Sequence, residues 1–342
     1  MSLDTAQAVY RCRESAAEYF GLSDPSRVIF TANCTGALNM VIKGLLMRGG
    51  HAVISDMEHN SVVRPLEALS NNGVTYSVAK TVDGDDEATV RDFEACVRSD
   101  TKLILCTHAS NVFGTVLPIA KIGNMAHEKR VPFAVDAAQS GGILPIDMQR
   151  DNIDYLCLPG HKGLYGPMGT GMLLCRDERE LYTLTEGGTG SRSLSLLQPQ
   201  ELPDRFESGT INVPGICGLQ AGLEWLKQHD SRLFPYEKRL IKQLYDYLCK
   251  QPRIQLYSDD PTKVSSVPLL SFDVIGMKSE EVAAYLSEEG VAVRAGLHCA
   301  PSAHRRAGTL PFGTVRVAPS AFTMVQEIEN LCKILIKILR KP

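Results

Sequence analysis

From Ser2 to Phe20 apolar residues recur at helical spacing, and the next apolar run, Arg27-Val28-Ile29-Phe30-Thr31, is continuous. The first pattern predicts an amphipathic helix and the second a short strand. The alternation then repeats. Thr35 to Leu46 and Val62 to Ser70 read as helices around the strand Ala52-Val53-Ile54-Ser55. Leu103-Ile104-Leu105-Cys106-Thr107 is a strand, Pro118 to Lys129 a helix, and Pro132–Val135, Tyr155–Leu158 and Gly171–Cys175 are strands. Apolar strands interleaved with helices predict an α/β fold with a mostly parallel sheet covered on both faces. In such sheets ligands collect beyond the carboxyl ends of the strands.

The texture changes further along. Glu178 to Pro203 is rich in Gly, Ser, Leu and Gln and reads as a long surface loop. Ile216 to Gln228 and Pro235 to Cys249 read as two helices, the second crossing towards another domain. After Ile254 come the strand Val267–Phe272, the helix Ser279–Glu289, the strands Val291–Val293 and Gly313–Val317, and the amphipathic helix Thr323–Leu339. This pattern predicts a smaller α+β domain over 246–342 behind a large domain over 1–245, in keeping with roughly 100–200 residues per domain. The sequence has no internal repeat.

Composition narrows the function. Hydrophobic residues make up 44% of the 342 and charged residues 22%, enough for a sizeable core. The formal net charge is −3 with no long basic run, which argues against nucleic acid or an anionic membrane as partner. No stretch is apolar for long enough to span a bilayer. The ten cysteines form no Cys-x-x-Cys pair and are scattered through apolar stretches. This argues against a metal site and a disulfide framework, and points to a reducing cytoplasm.

The strand ends carry the chemistry. Lys162 lies in Pro159-Gly160-His161-Lys162-Gly163, directly after an apolar strand. An amine on a glycine-rich turn beside a histidine suits a group that must reach a fixed point and form a Schiff base. Asp136 ends another strand, with Gln139 close behind. An amine and an acid at two strand ends meet the needs of pyridoxal phosphate: a lysine for the aldehyde carbon and an anion for the ring nitrogen. Asp136 read alone is equally a helix cap. Thr35 and Gly36 stand where a helix begins, a place suited to phosphate, although a threonine there is also an ordinary cap. His108 follows a buried strand and offers a ring to stack on the cofactor, with Asn111 nearby to touch its oxygen or the substrate. Either is also a plain structural residue. Gly209-Thr210-Ile211-Asn212 is a phosphate donor or a turn.

The last piece is Arg294-Ala295-Gly296-Leu297-His298-Cys299-Ala300-Pro301. A cysteine in a polar, glycine-containing loop has the surroundings of a reactive thiol, and a neighbouring imidazolium or guanidinium favours its thiolate. The alternative, a small buried hydrophobe, suits most of the other nine cysteines better than Cys299.

These motifs occur in the order seen in one group of proteins. Thr35-Gly36-Ala37-Leu38-Asn39, His108-Ala109-Ser110-Asn111, Asp136-Ala137-Ala138-Gln139, Gly160-His161-Lys162, Gly209–Asn212 and Arg294–Ala300 together make the chain resemble the aminotransferase class V-fold pyridoxal-phosphate enzymes. Within them it resembles the cysteine desulfurases and selenocysteine lyases of the SufS-like subgroup. The resemblance covers nearly the whole length. It implies fold type I, a homodimer, and pyridoxal 5'-phosphate held covalently by Lys162, which also moves the α-proton. It further implies that Asp136 pairs with the pyridine nitrogen, Gln139 with the phenolic oxygen, and His108 with the ring face. Thr35, Gly36, His161 and Thr210 of the partner subunit would bind phosphate. Arg316, with Arg294 and Asn111, would hold the substrate carboxylate. Cys299 would take sulfur from L-cysteine as a persulfide, leaving L-alanine for release and passing the sulfur to an acceptor protein.

Three departures accompany the resemblance. Pro159 stands where many relatives have serine, and Gly36 where a glutamate is common. A strand and a Leu-Asp-Asn-Ala-Ala-like turn that usually precede the first helix are absent, so impaired cofactor retention or activity is an expectation for this chain. The alternatives are a selenocysteine lyase or another class V reaction in which Cys299 is not the nucleophile, and a non-catalytic relative that binds sulfur-transfer partners.

Overall fold

Seven strands form one sheet in the order β1-β7-β6-β5-β4-β2-β3. They are β1 Val28–Thr31, β2 Gly50–Ser55, β3 Val74–Ala79, β4 Thr101–Thr107, β5 Phe133–Asp136, β6 Tyr155–Pro159 and β7 Gly171–Cys175. The computed structural model describes residues 3–176 and 181–340. Strands β6, β5, β4, β2 and β3 run parallel, and β7 is antiparallel to both its neighbours, β6 and β1. Every residue of β5, β6 and β7 is buried, which is why these strands show as unbroken apolar runs.

Helix α1 Leu3–Tyr19 precedes β1, and α2 Cys34–Leu46, α3 Asn60–Ala68, α4 Asp86–Cys96 and α5 Ile119–Lys129 connect successive strands from β1 to β5. One face of α2 supplies Ala37, Leu38, Val41, Ile42 and Leu45 to a core that includes Leu103, Leu105, Tyr155 and Cys157 of the sheet. Asn33 caps this helix, its side chain accepting from Gly36 N at 2.9 Å.

Two elements escape the hydrophobic pattern. Strand β3 pairs only with β2, and most of its residues are partly exposed, so Thr75, Tyr76 and Ser77 replace an apolar run. Helix α4 buries only Thr89 and Phe93 and starts from the Asp85 cap. Of the expected surface loop Glu178–Pro203, residues 178–180 lie outside the described residues, as does Ser2 of the first helix. Residues 181–203 contain no regular element.

The two helices expected over Ile216–Gln228 and Pro235–Cys249 are one, α6 Val213–Leu248, with Pro235 inside it. The proline removes one backbone donor but does not end the helix. The periodicity breaks because α6 serves two cores. Ile216, Leu219, Leu223 and Leu226 are buried early in the helix, and Leu240, Ile241, Leu244 and Leu248 late, with a polar stretch between.

The chain divides into two units. The first comprises residues 1–55, 61–108 and 117–229, and the second residues 56–60, 109–116 and 230–342. The second holds a four-stranded antiparallel sheet, β10-β11-β9-β8, made of β8 Ile254–Leu256, β9 Leu270–Val274, β10 Arg294–Gly296 and β11 Thr314–Val317. The end of α6, with α7 Ser279–Glu288 and α9 Val325–Leu339, covers it through Leu244, Val282, Leu286, Leu331 and Leu335. The strand expected at Val291–Val293 is displaced to Arg294–Gly296, where Gly296 pairs with Thr314. A short helix, α8 Pro301–Arg306, follows the cysteine loop. Among the described residues no helix is long and apolar enough to cross a membrane.

Candidate active site

In the first unit, register aligns the carboxyl ends of the central strands. Thr107 of β4 pairs with Asp136 of β5, and Asp136 with Cys157 of β6. His108, the residues after Asp136 and the Lys162 turn all continue from this edge. Asp136 is 3% exposed, and its Oδ1 accepts from Ala138 N at 2.9 Å. A second donor is Cys34, whose Sγ lies 3.5 Å from the same oxygen. Burial pushes the Cys34 thiol well above its usual range, and the charge of Asp136 adds to this, so the sulfur stays protonated and donates. Lys162 acts in the opposite sense on Cys34, which places the amine within electrostatic reach of the thiol that holds the acid.

His108 is buried, and desolvation pulls its pKa down to about 4. Its ring is therefore neutral at pH 7, and Nδ1 has no partner among the described residues. Gln139 is half-buried; His161 and Lys162 are exposed. Burial and the neighbouring Lys162 lower the His161 pKa. Thr35 Oγ1 lies 2.8 Å from Ser61 Oγ, so hydroxyls from the first turns of α2 and α3 meet. Gly36 and Thr210 line one cavity of about 530 Å³ within a single chain, together with Thr31, Thr170 and Asn212.

The Lys162 turn is pinned by backbone contacts that leave no room for side chains. A Cβ on Gly142 would lie 2.2 Å from Gly163 O, and one on Gly163 would lie 2.3 Å from Gly141 O. From the other side, a Cβ on Gly222 of α6 would lie 2.2 Å from Leu164 O. Gly166 N donates to Gly160 O at 2.7 Å and Tyr165 N to Lys162 O at 2.9 Å, which closes the turn. The Tyr165 ring meets Trp225 of α6 edge-on at 4.9 Å between centroids.

In the second unit, Cys299 is an exposed free thiol. It sits at the apex of a turn in which His298 (φ 49°) and Cys299 (φ 59°) are both left-handed. The imidazolium expected beside this thiol is absent. His298 is buried, its pKa is drawn down to about 4, and Nε2 donates to Thr314 O at 3.0 Å. A cationic neighbour of Cys299 is Arg316, whose pKa is lowered by burial and by Arg294 and raised by Cys299. Arg294 and Arg316 stand opposite each other across β10 and β11. Arg316 is half-buried; Nη1 donates to Asn111 O at 2.5 Å, and its buried Nε has no partner among the described residues. Two facing guanidiniums and an orphaned N–H call for an anion. The Asn111 side chain is engaged with the protein, Nδ2 donating to His298 O at 2.6 Å.

Sequence reasoning missed Cys34, the glycines of α6 and the pair Arg13–Glu207. Arg13 Nη2 lies 2.7 Å from Glu207 Oε2 and Nη1 2.9 Å from Oε1, both side chains almost fully buried. Glu207 Oε1 also accepts from Phe30 N at 2.6 Å. The available signal was a charged residue on the apolar face of α1, between Cys12 and Ala16.

The donor set suits pyridoxal phosphate. Asp136 is a buried acceptor for a ring N–H, His108 is a neutral plane with an unused nitrogen, and Lys162 is an amine on a fixed turn. Hydroxyls at two helix starts suit phosphate. A parallel-centred sheet with these groups past its carboxyl edge, and a separate antiparallel unit, is the architecture of fold-type I pyridoxal-phosphate enzymes. Comparison with known proteins gives the same class. The aminotransferase class-V family matches residues 1–331. A protein of Methanothermobacter thermautotrophicus named probable cysteine desulfurase is 33% identical, over 98% of this chain and 85% of that one. A probable cysteine desulfurase of Mycolicibacterium paratuberculosis is 30% identical over 94% of this chain, which spans 47% of that longer protein. The apo structure of a cysteine desulfurase from Thermococcus onnurineus NA1 superposes with a TM-score of 0.89 at 28% identity, covering 98% of this chain and 84% of that one. The chain belongs to the aminotransferase class-V family, and this membership implies a pyridoxal phosphate cofactor.

Proposed function

We propose that this chain is a cysteine desulfurase, which takes sulfur from L-cysteine as a Cys299 persulfide and leaves L-alanine. The observation that carries the reading is Cys299, an exposed thiol on a left-handed turn within electrostatic reach of Arg316. The names of the relatives support it.

When bound, pyridoxal phosphate supplies an aldehyde and an electron sink. Lys162 Nζ is the amine that holds it and moves a proton at the substrate Cα. Asp136, buried, would pair with the ring nitrogen, with Cys34 and Ala138 N fixing its oxygen. His108 would face the ring and, being neutral, would not oppose a charge on the ring nitrogen. Gln139 would pair with the phenolic oxygen. Thr35, Gly36, His161 and Thr210 of the partner subunit would take the phosphate. Arg316 receives the substrate carboxylate on its unused Nε, with Arg294 opposite. Cys299 Sγ, as the thiolate, attacks the substrate sulfur. The bond from that sulfur to Cβ breaks with its electron pair on carbon, and a proton there completes alanine. The outer sulfur of the persulfide then passes to a thiol of a sulfur-acceptor protein, and Cys299 leaves as its thiol. Exposed Leu194, Leu196 and Leu197 support a homodimer, and ten free thiols support a reducing cytoplasm.

The test measures alanine and sulfide from L-cysteine, and alanine and selenide from L-selenocysteine, in wild type and Cys299→Ala. Sulfide release is expected to fall more than about 100-fold in the variant while the visible cofactor band persists. Undiminished sulfide release would contradict the role of Cys299. Turnover restricted to selenocysteine, surviving the substitution, would favour a lyase.

A further inference from the structure

Asn111 reads from sequence as a substrate contact, but one of the two N–H groups of its side chain is already committed. Nδ2 donates to His298 O at 2.6 Å, and Asn111 is 9% exposed, so the bond is shielded from water. The group it holds needs holding. His298 and Cys299 are successive L-residues at φ 49° and 59°, a region that costs each of them backbone energy. Such a conformation persists only where the surroundings over-determine it. Here they do: Asn60 N donates to Cys299 O at 2.7 Å, His298 Nε2 donates to Thr314 O, and Ala300 N closes the turn on Leu297 O at 2.9 Å.

Asn111 is itself anchored. Its own carbonyl accepts from Arg316 Nη1. Its loop is closed by Ser110 N donating to Thr115 O at 2.9 Å. The loop is tied down by Ser271 Oγ donating to Val112 O and Ser258 Oγ donating to Phe113 O at 3.0 Å. The resulting path runs from β9 and β11 through Asn111 to the carbonyl next to the thiol residue.

We infer that Asn111 is a positioning residue for Cys299: its side-chain N–H grips the His298 carbonyl and keeps the thiol-bearing turn left-handed. The inference deepens the desulfurase reading and rests on Cys299 as its nucleophile.

Asn111→Asp tests it, because it keeps the shape, removes the donor and sets an oxygen against the His298 carbonyl. In the cofactor-loaded protein, amide hydrogen exchange at Ala300 is expected to quicken roughly tenfold, the size of one buried hydrogen bond. Peptide-resolved alkylation by iodoacetamide is expected to change at Cys299 and stay constant at the exposed Cys217. With L-cysteine, kcat is expected to fall about tenfold while KM stays within about twofold. Unchanged Ala300 exchange together with a raised KM would overturn the inference and make Asn111 a substrate contact. Asn111→Ser, which is too short to reach and adds no charge, gives the same readout should the aspartate variant fail to fold. Exchange and alkylation do not require turnover. A protein without desulfurase activity but with a loosened turn would therefore sink the proposed reaction and leave the positioning role standing.

Discussion

Asp136 owes its setting to a thiol. Cys34 donates to Oδ1 from a buried position, beside the backbone donor Ala138 N. A thiol is a weak donor, so its loss is expected to be felt modestly. Cys34→Val, similar in size and without a donor, is expected to weaken pyridoxal phosphate binding about threefold. Titration of Trp225 fluorescence checks this, since it is the only tryptophan and its ring meets Tyr165, three residues from Lys162. An unchanged affinity would mean that Ala138 N alone suffices. At this scale Lys162 and Asp136 were legible as candidates because Asp136 ends, and Lys162 closely follows, an unbroken apolar run, and strand ends are where ligands gather in such sheets. Cys34 was not, because nothing in a sequence tells a donating thiol from an inert one. Asn111 was legible as a candidate substrate contact, and its bond to the His298 carbonyl was not, since that partner lies 187 residues away.

Helix α6 carries an element-scale device. Gly222 lets the helix backbone approach Leu164 O, so the Lys162 turn is fixed by a helix rather than by side chains. Gly222→Ala is expected to displace the turn, lower the melting temperature of the first unit and weaken cofactor binding about tenfold or more, read by the same fluorescence titration. The pair Arg13–Glu207 plays a comparable part between α1, β1 and the residues before Thr210. Removing one partner leaves a buried charge alone, so Glu207→Ala is expected to destabilise the first unit by about 3–5 kcal/mol in denaturant titration. A loss under about 1 kcal/mol would show the pair to be solvated in practice. The fully buried strands could be read from hydrophobicity alone. Edge strand β3 and the polar helix α4 could not, because their exposed faces dilute the pattern. The continuity of α6 was hidden by the change of core partway along it and by Pro235.

At the scale of the whole molecule, the buried histidines tie stability to pH. His108 in the first unit and His298 in the second are held neutral, each with a pKa near 4 against 6.5 for a free imidazole. Burial also lowers the pKa values of His51 and His304. Between about pH 6.5 and 4 the unfolded chain binds more protons than the folded one, so stability falls as pH drops through that window. For His108 alone the loss is about 2 kcal/mol at pH 5. The urea midpoint followed by Trp225 is therefore expected to be lower at pH 5 than at pH 7.5, and His108→Phe is expected to flatten that difference. A midpoint independent of pH over this range would contradict the neutral, buried state of His108. A change of texture near Ile254 was legible and suggested a second domain over 246–342. The second unit's segments 56–60 and 109–116 were not, since they join it only in three dimensions.

The central claim is that Lys162 is the amine that holds the cofactor. Borohydride reduction of the pyridoxal-phosphate-loaded protein, followed by peptide mapping, tests it most directly. The account predicts the reduced cofactor on Lys162 Nζ and no visible cofactor band in Lys162→Ala. A label on another lysine, or a band that persists in Lys162→Ala, would contradict it.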